Sequence, residues 1–171
     1  QASPDGDDMD GSERRSADIS LNDHLRDQLR GMRLSDIDRA ALLILIDSLN
    51  EDGYLADPLE EIAERLADGE PQAGEEILDR LRCALKWLQN LEPTGVGARD
   101  LSECLVLQLR ALPRSEAQMI AILVCKHHLA LLARRDGKKL MAATGADAEL
   151  LKAAQALILR CEPKPGRAFA N

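Results

Sequence analysis

Gly95-Val96-Gly97, within LEPTGVGARDLSECL at residues 91–105, is where this sequence comes nearest to a known chemical device. Closely spaced glycines let backbone amides fold around a phosphate, as nucleotide-binding loops do. The spacing argues against that use. A dinucleotide fingerprint follows a strand and carries a third glycine, where this chain has a helical apolar pattern and Asp100. A phosphate loop ends in Gly-Lys-Ser or Gly-Lys-Thr, and neither occurs. Asp100 would also lay its carboxylate across the free amides of the next helix, which a phosphate would need. The glycines then read as a joint. They admit backbone angles that other residues resist, so one helix ends and the next leaves at a set angle. A positive φ is predicted at Gly95 or Gly97.

Other reactive groups are scattered. His127 and His128 are adjacent, so on a helix they diverge by a quarter-turn or more and do not share a metal ion. No His, Cys or carboxylate stands around them at ligand spacing. Cys83, Cys104, Cys125 and Cys161 form no Cys-x-x-Cys, and each falls in a helical apolar pattern. They read as small buried hydrophobes rather than zinc ligands or disulfide partners, and reduced thiols fit a cytoplasmic protein. No Gly-x-Ser-x-Gly occurs, and the Asp/Glu pairs sit at helix starts, where capping explains them. No metal, cofactor or catalytic residue is predicted, and the chain does not read as an enzyme.

These residues must be positioned by helices. The chain has 171 residues, 45% of them apolar, yet only one Trp, one Tyr and one Phe. Leu and Ala dominate and strand-favouring residues are scarce, so an all-α fold is predicted. The formal net charge is −8, of which residues 1–18 hold −4, from six acids against Arg14 and Arg15. The rest is mixed, with no basic patch evident, so a polyanion is a poor direct partner. The longest apolar run, Met119 to Cys125, is far too short to span a membrane. The sequence begins with Gln1, not Met, and so reads as a piece of a longer protein.

Residues 1–18 are rich in Asp, Gly and Ser and read as a disordered acidic tail. Leu21, Leu25, Leu29 and Met32 then form a helical stripe. Ser35 with Asp38 starts a helix to about Asn50, and Gly53 reads as a helix stop. Asp57-Pro58 reads as a cap and first helical residue, and residues 69–74 as a loop. Ile77, Leu81, Leu85, Leu88 and Leu91 make a strong amphipathic helix carrying Trp87, with Leu85 and Leu88 as core. Asp100 with Glu103 caps the helix after the joint, and Pro113 ends it. Ser115 starts a central helix to about Arg134. A short helix near residues 138–144, a turn at Gly145 and a helix from Asp147 to Cys161 complete about eight helices. They are predicted to pack as two small bundles, residues 19–92 and 93–171, meeting near residues 92–99.

The two helices about Gly145 also have the shape of a helix-turn-helix, an alternative reading as a DNA-binding regulator. A base-reading helix wants Arg, Lys, Asn or Gln at its start, whereas this one offers Asp147 and Glu149. Two packed bundle helices is the simpler reading. An enzyme fragment is a third reading, which would need titratable groups clustered in a cleft.

Residues 91–109 resemble the signature of the sigma-54 family of bacterial transcription factors, in its core-binding region. Leu91, Pro93, Gly95, Val96, Ala98, Arg99, Asp100, Leu101, Glu103, Cys104, Leu105, Leu107, Gln108 and Leu109 fall on it. IDSLNEDGYL (residues 46–55) is similar to the family's Gly-Tyr-Leu turn, and Pro163-Lys164-Pro165-Gly166 to its closing motif. Together the matches cover roughly residues 20 to 170. Cys161-Glu162 departs from the usual Leu-Asn before the closing motif, which bears on local packing there. The resemblance implies a two-part helical domain that docks the factor on core RNA polymerase, including the β-subunit flap. It further implies that the full-length factor binds promoter DNA and an activator ATPase through regions this sequence lacks. As polymerase-binding or joint residues it points to Tyr54, Leu55, Glu92, Thr94, Gly95, Val96, Gly97, Arg99, Asp100 and Lys164. Arg99 could either brace the joint or reach the partner.

Overall fold

The computed structural model describes residues 19–169 and is all-helical, with no strand among them. The acidic tail predicted for residues 1–18 lies outside the described residues. Nine α-helices follow in order: α1 (Leu21–Leu29), α2 (Asp36–Asp47), α3 (Leu59–Ala67), α4 (Pro71–Leu88), α5 (Leu101–Arg110), α6 (Glu116–His127), α7 (Leu129–Ala133), α8 (Gly137–Thr144) and α9 (Ala148–Leu159). A 3₁₀ turn, Pro165–Phe169, closes the described chain. No helix among them is long and apolar enough to cross a membrane.

Local chemistry sets most helix starts. The side chains of Ser20, Ser35, Asp100, Ser115, Asp136 and Asp147 each accept a hydrogen bond from the backbone amide three residues on. Each satisfies one of the amides that a helix leaves without a partner. The leucine stripes then drive the helices together in two clusters. The first holds Leu25, Leu42, Leu45, Leu81, Leu85 and Leu88 from α1, α2 and α4, with Ile62 of α3. The second is built from α5, α6, α8 and α9 around Leu109, Val124, Leu140 and Ala154. α6 is its centre, touching α5, α7, α8 and α9.

Five sequence expectations need correction. α2 ends at Asp47, and Gly53 lies in the turn that follows instead of stopping the helix. Asp57 does not cap α3; its carboxylate meets Arg65 at 3.5 Å, and the helix starts at Leu59. Gly74 sits inside α4, not in a loop. A Cβ there would lie 3.5 Å from that of Ala67, so small residues let α3 and α4 approach closely. The helix from Ser115 is broken at His128, whose φ of −136° and ψ of 29° are not helical. Beyond the break Leu129, Leu131 and Leu132 pack against the second cluster. Of the cysteines, Cys104 and Cys125 are buried and Cys161 is half-buried, but Cys83 is exposed.

Leu85 and Leu88 both lie in the first core, at 6% and 0% exposure. Leu85→Ala should therefore cost about 2–5 kcal/mol, as large-to-small changes in packed cores do. Trp87, on the same helix and against the same cluster, reports the loss as a lower urea midpoint.

Candidate functional site

The segment between α4 and α5 is held from both sides. Glu92, which joins Pro93 through a cis peptide, has its backbone gripped by Gln28 of α1. The Gln28 amide donates to the Glu92 carbonyl at 2.6 Å and accepts from the Glu92 N–H at 2.9 Å. Gly95 and Gly97 have φ of +100° and +80°, as predicted. Neither has room for a side chain. A Cβ on Gly97 would sit 2.9 Å from Leu88, and one on Gly95 2.9 Å from the Gln108 amide. Between them Val96 is fully buried and belongs to the first cluster. The Gly-x-Gly thus faces packed side chains rather than an open cradle.

The loop also pairs with the turn after α2. The Gly97 N–H donates to the Gly53 carbonyl, and the Leu55 N–H to the Ala98 carbonyl, both at 2.9 Å. Leu55 itself is buried in the first cluster. The far end of the chain returns to the same turn. The Gly166 N–H donates to the Asp52 carbonyl at 2.8 Å, and the Tyr54 hydroxyl to the Pro163 carbonyl at 2.5 Å. A Cβ on Gly166 would overlap the Glu51 carbonyl oxygen, so only glycine permits this approach. Gln108 of α5 completes the arrangement as Gln28 does on the other side. Its amide donates to the Glu162 carbonyl and accepts from the Glu162 N–H, each at 2.7 Å.

Three segments, around residues 50–55, 92–99 and 162–167, therefore share one knot. They are the same three that carry the sequence resemblance. The sigma-54 factor core-binding domain model matches residues 11–171. The RNA polymerase sigma-54 factor of Azotobacter vinelandii is 43% identical over 96% of this chain and 32% of its own length. That of Pseudomonas aeruginosa is 40% identical, again over 96% and 32%. The Escherichia coli protein of the same name is 37% identical over 88% and 31%. The chain belongs to the sigma-54 factor family. It spans about a third of the length of these relatives.

Within this sigma-54 core-binding domain, the ten predicted residues lie around the knot at three levels of exposure. Leu55, Gly95, Val96 and Gly97 are buried; Tyr54 and Thr94 are half-buried; Glu92, Arg99, Asp100 and Lys164 are exposed. Asp100 caps α5, its carboxylate accepting from the Glu103 N–H at 2.8 Å. Arg99 is a brace. Its guanidinium holds both Glu103 oxygens, at 3.0 and 2.6 Å, while its N–H donates to the same carboxylate at 2.9 Å. Gln89, the C-cap of α4, bonds that carboxylate at 3.1 Å and the Gly97 carbonyl at 3.0 Å. Glu103 thus ties α4, the loop and α5 together. Burial opposes its ionisation, but the bonds from Arg99 and Gln89 outweigh that and hold its pKa below the ordinary 4.5.

Sequence reasoning missed Gln28, Gln89 and the role of Gln108. Gln108 stood in the signature, but its partner lies 54 residues away and Gln28's lies 64 away. No local pattern announces such a pairing. Behind Gln108 lies Cys104, whose sulfur sits 3.6 Å from the Glu162 carbonyl and whose pKa burial pushes up. Burial likewise raises the Tyr54 pKa, keeping its hydroxyl protonated as a donor.

Two outcomes follow from this geometry. Gly97→Val combines backbone strain with a clash against Leu88, and should lower stability by about 1–3 kcal/mol in urea unfolding. Glu103→Gln removes a carboxylate whose folded pKa lies below its unfolded one. The wild-type advantage should be complete above pH 4.5 and shrink as the pH falls through the lower folded value. Thermal midpoints of the pair across pH 2–7 measure it; a gap that stays constant would mean Glu103 acts without its charge.

Proposed function

We propose that this domain docks a sigma-54-type transcription initiation factor on core RNA polymerase, acting as a binding module in the cytoplasm rather than as an enzyme. The observation that carries this reading is the coincidence of the family signature with the knot. The residues that define the family here are those that lock two helical clusters in one relative orientation. A rigid two-lobed body presents a fixed surface, and preorganisation of that kind lowers the entropic cost of binding.

We divide the domain accordingly into an N-terminal subdomain, residues 19–92, and a C-terminal one, residues 93–171, with the Gly-x-Gly as the joint. Val96, reaching back into the first cluster, is the peg between them. The buried members of the predicted set, Leu55, Gly95, Val96 and Gly97, act as joint residues. Glu92, Thr94, Lys164 and the outer face of Arg99 are the ones available to the polymerase. Arg99 also lines a cleft of about 560 Å³ with Leu55, Glu60, Arg82, Leu85 and Lys86, an open concavity beside the joint. The β-subunit flap is the proposed contact. Promoter DNA and an activator ATPase belong to other parts of a full-length factor. A base-reading helix-turn-helix at Gly145 is disfavoured, because α9 opens with Asp147 as its cap and Glu149 in its first turn.

Binding of the chain to purified core polymerase, followed by surface-immobilised titration, tests the proposal; absence of binding would overturn it. Arg99→Ala should lower the thermal midpoint and polymerase affinity together, because Arg99 braces the joint. Unchanged stability with weakened binding would instead make Arg99 a direct contact.

A further inference from the structure

The chain's negative charge is not evenly spread. Residues 57–79, which form α3 and the first half of α4, contain nine acids and only Arg65 as a cation. Residues 126–139, which run from the end of α6 to the start of α8, contain five Lys and Arg and only Asp136 as an acid. The mixed composition hides this basic corner, and the expectation of no basic patch is corrected here. Lys126, Arg134, Arg135, Lys138 and Lys139 are all exposed.

The corner is built against local preference. Arg135 has a φ of +57°, an uncommon conformation for a residue with a side chain. Lys138 and Lys139 stand in the first turn of α8, where the helix dipole disfavours cations. Only Lys139 finds a carboxylate, that of Asp136 at 3.8 Å; Arg134, Arg135 and Lys138 have no ion-pair partner among the described residues. Positive charge is concentrated here without internal compensation. Such a corner suits an external anion.

Its place in the fold indicates which anion. α8, the turn at Gly145 (φ +78°) and α9 form a helix-turn-helix-like pair. In such a pair the first helix crosses the nucleic-acid backbone while the second reads bases. Here the second helix offers Asp147 and Glu149 and cannot read, but the first carries the lysines. We propose that the α7–α8 corner is a contact site for the phosphates of double-stranded DNA, independent of base sequence. Arg134, Arg135 and Lys138 each meet a phosphate, while the acidic α3–α4 end is repelled from the duplex. The site is separate from the joint and does not depend on polymerase docking.

Fluorescence anisotropy of the chain with a labelled 20-base-pair duplex of arbitrary sequence, titrated between about 20 and 100 mM salt, tests this. Three phosphate contacts predict a slope of log affinity against log salt of roughly −2.7, the same for unrelated sequences. Arg134→Gln/Arg135→Gln/Lys138→Gln should weaken binding at least about tenfold at low salt and flatten the slope towards zero. Lys138→Gln alone should reduce its magnitude by about 0.9, which keeps the test open should the triple variant misfold. Arg30→Gln, an exposed cation just after α1 and outside the corner, should change nothing. No wild-type binding at 20 mM salt, or an unchanged slope in the folded triple variant, would overturn the proposal. So would a polyglutamate peptide that binds the corner as tightly as the duplex, since that would assign it to an acidic protein.

Discussion

The contact on which this structure most depends is the backbone approach at Gly166. The chain end can lie against the Glu51–Gly53 turn only because residue 166 has no side chain. Once it is there, the Gly166 N–H, the Pro163 carbonyl and the Arg167 guanidinium all find partners in residues 52–54. The Gly53 carbonyl in turn accepts from Gly97. One turn is therefore bonded on one side by the joint and on the other by the end of the chain. The two leucine clusters would otherwise be linked by little more than the loop between α4 and α5. Residues 163–167, seated on that turn, add a second set of bonds between the clusters.

Two glutamines secure the closure in the same way. A carboxamide matches a peptide group donor for acceptor, so Gln28 and Gln108 each satisfy both polar groups of one backbone residue. Glu92 and Glu162 are the residues held, one at each end of the second half of the molecule. Such bonds add only modestly to net stability, but they are directional, and backbone groups left unpaired would be costly. They specify geometry.

What was legible in the sequence follows from the range of the forces involved. Helix starts at Ser35, Asp100, Ser115 and Asp147 could be read because capping acts over three residues. Leu85 and Leu88 could be assigned to a core because the helical period shows which residues share a face. The positive φ of Gly95 and Gly97 could be read because paired glycines have few other uses in a helical chain. The break at His128 could not, since no Gly or Pro marks it and its cause is tertiary: the leucines beyond it must reach the second cluster. Nor could the α4 start at Pro71, where Gly74 looks like a loop residue until Ala67 is seen against it. The glutamine pairings were invisible for the same reason. The family resemblance located all three knotted segments without indicating that they touch.

Stability and orientation consequently rest on different residues. The eight ion pairs among the described residues are largely exposed, and pairs of that kind contribute little each. Fully buried leucines such as Leu42, Leu81 and Leu109 carry the folding free energy, because apolar burial scales with area and these are the largest side chains removed from water. The knot contributes less to that total, yet it bonds the two clusters to each other. A substitution in a leucine cluster therefore removes the domain. One at Gln108, Tyr54 or Gly166 can leave each cluster folded and still spoil the surface they present together. For the docking role proposed above, that second kind of damage is the more specific.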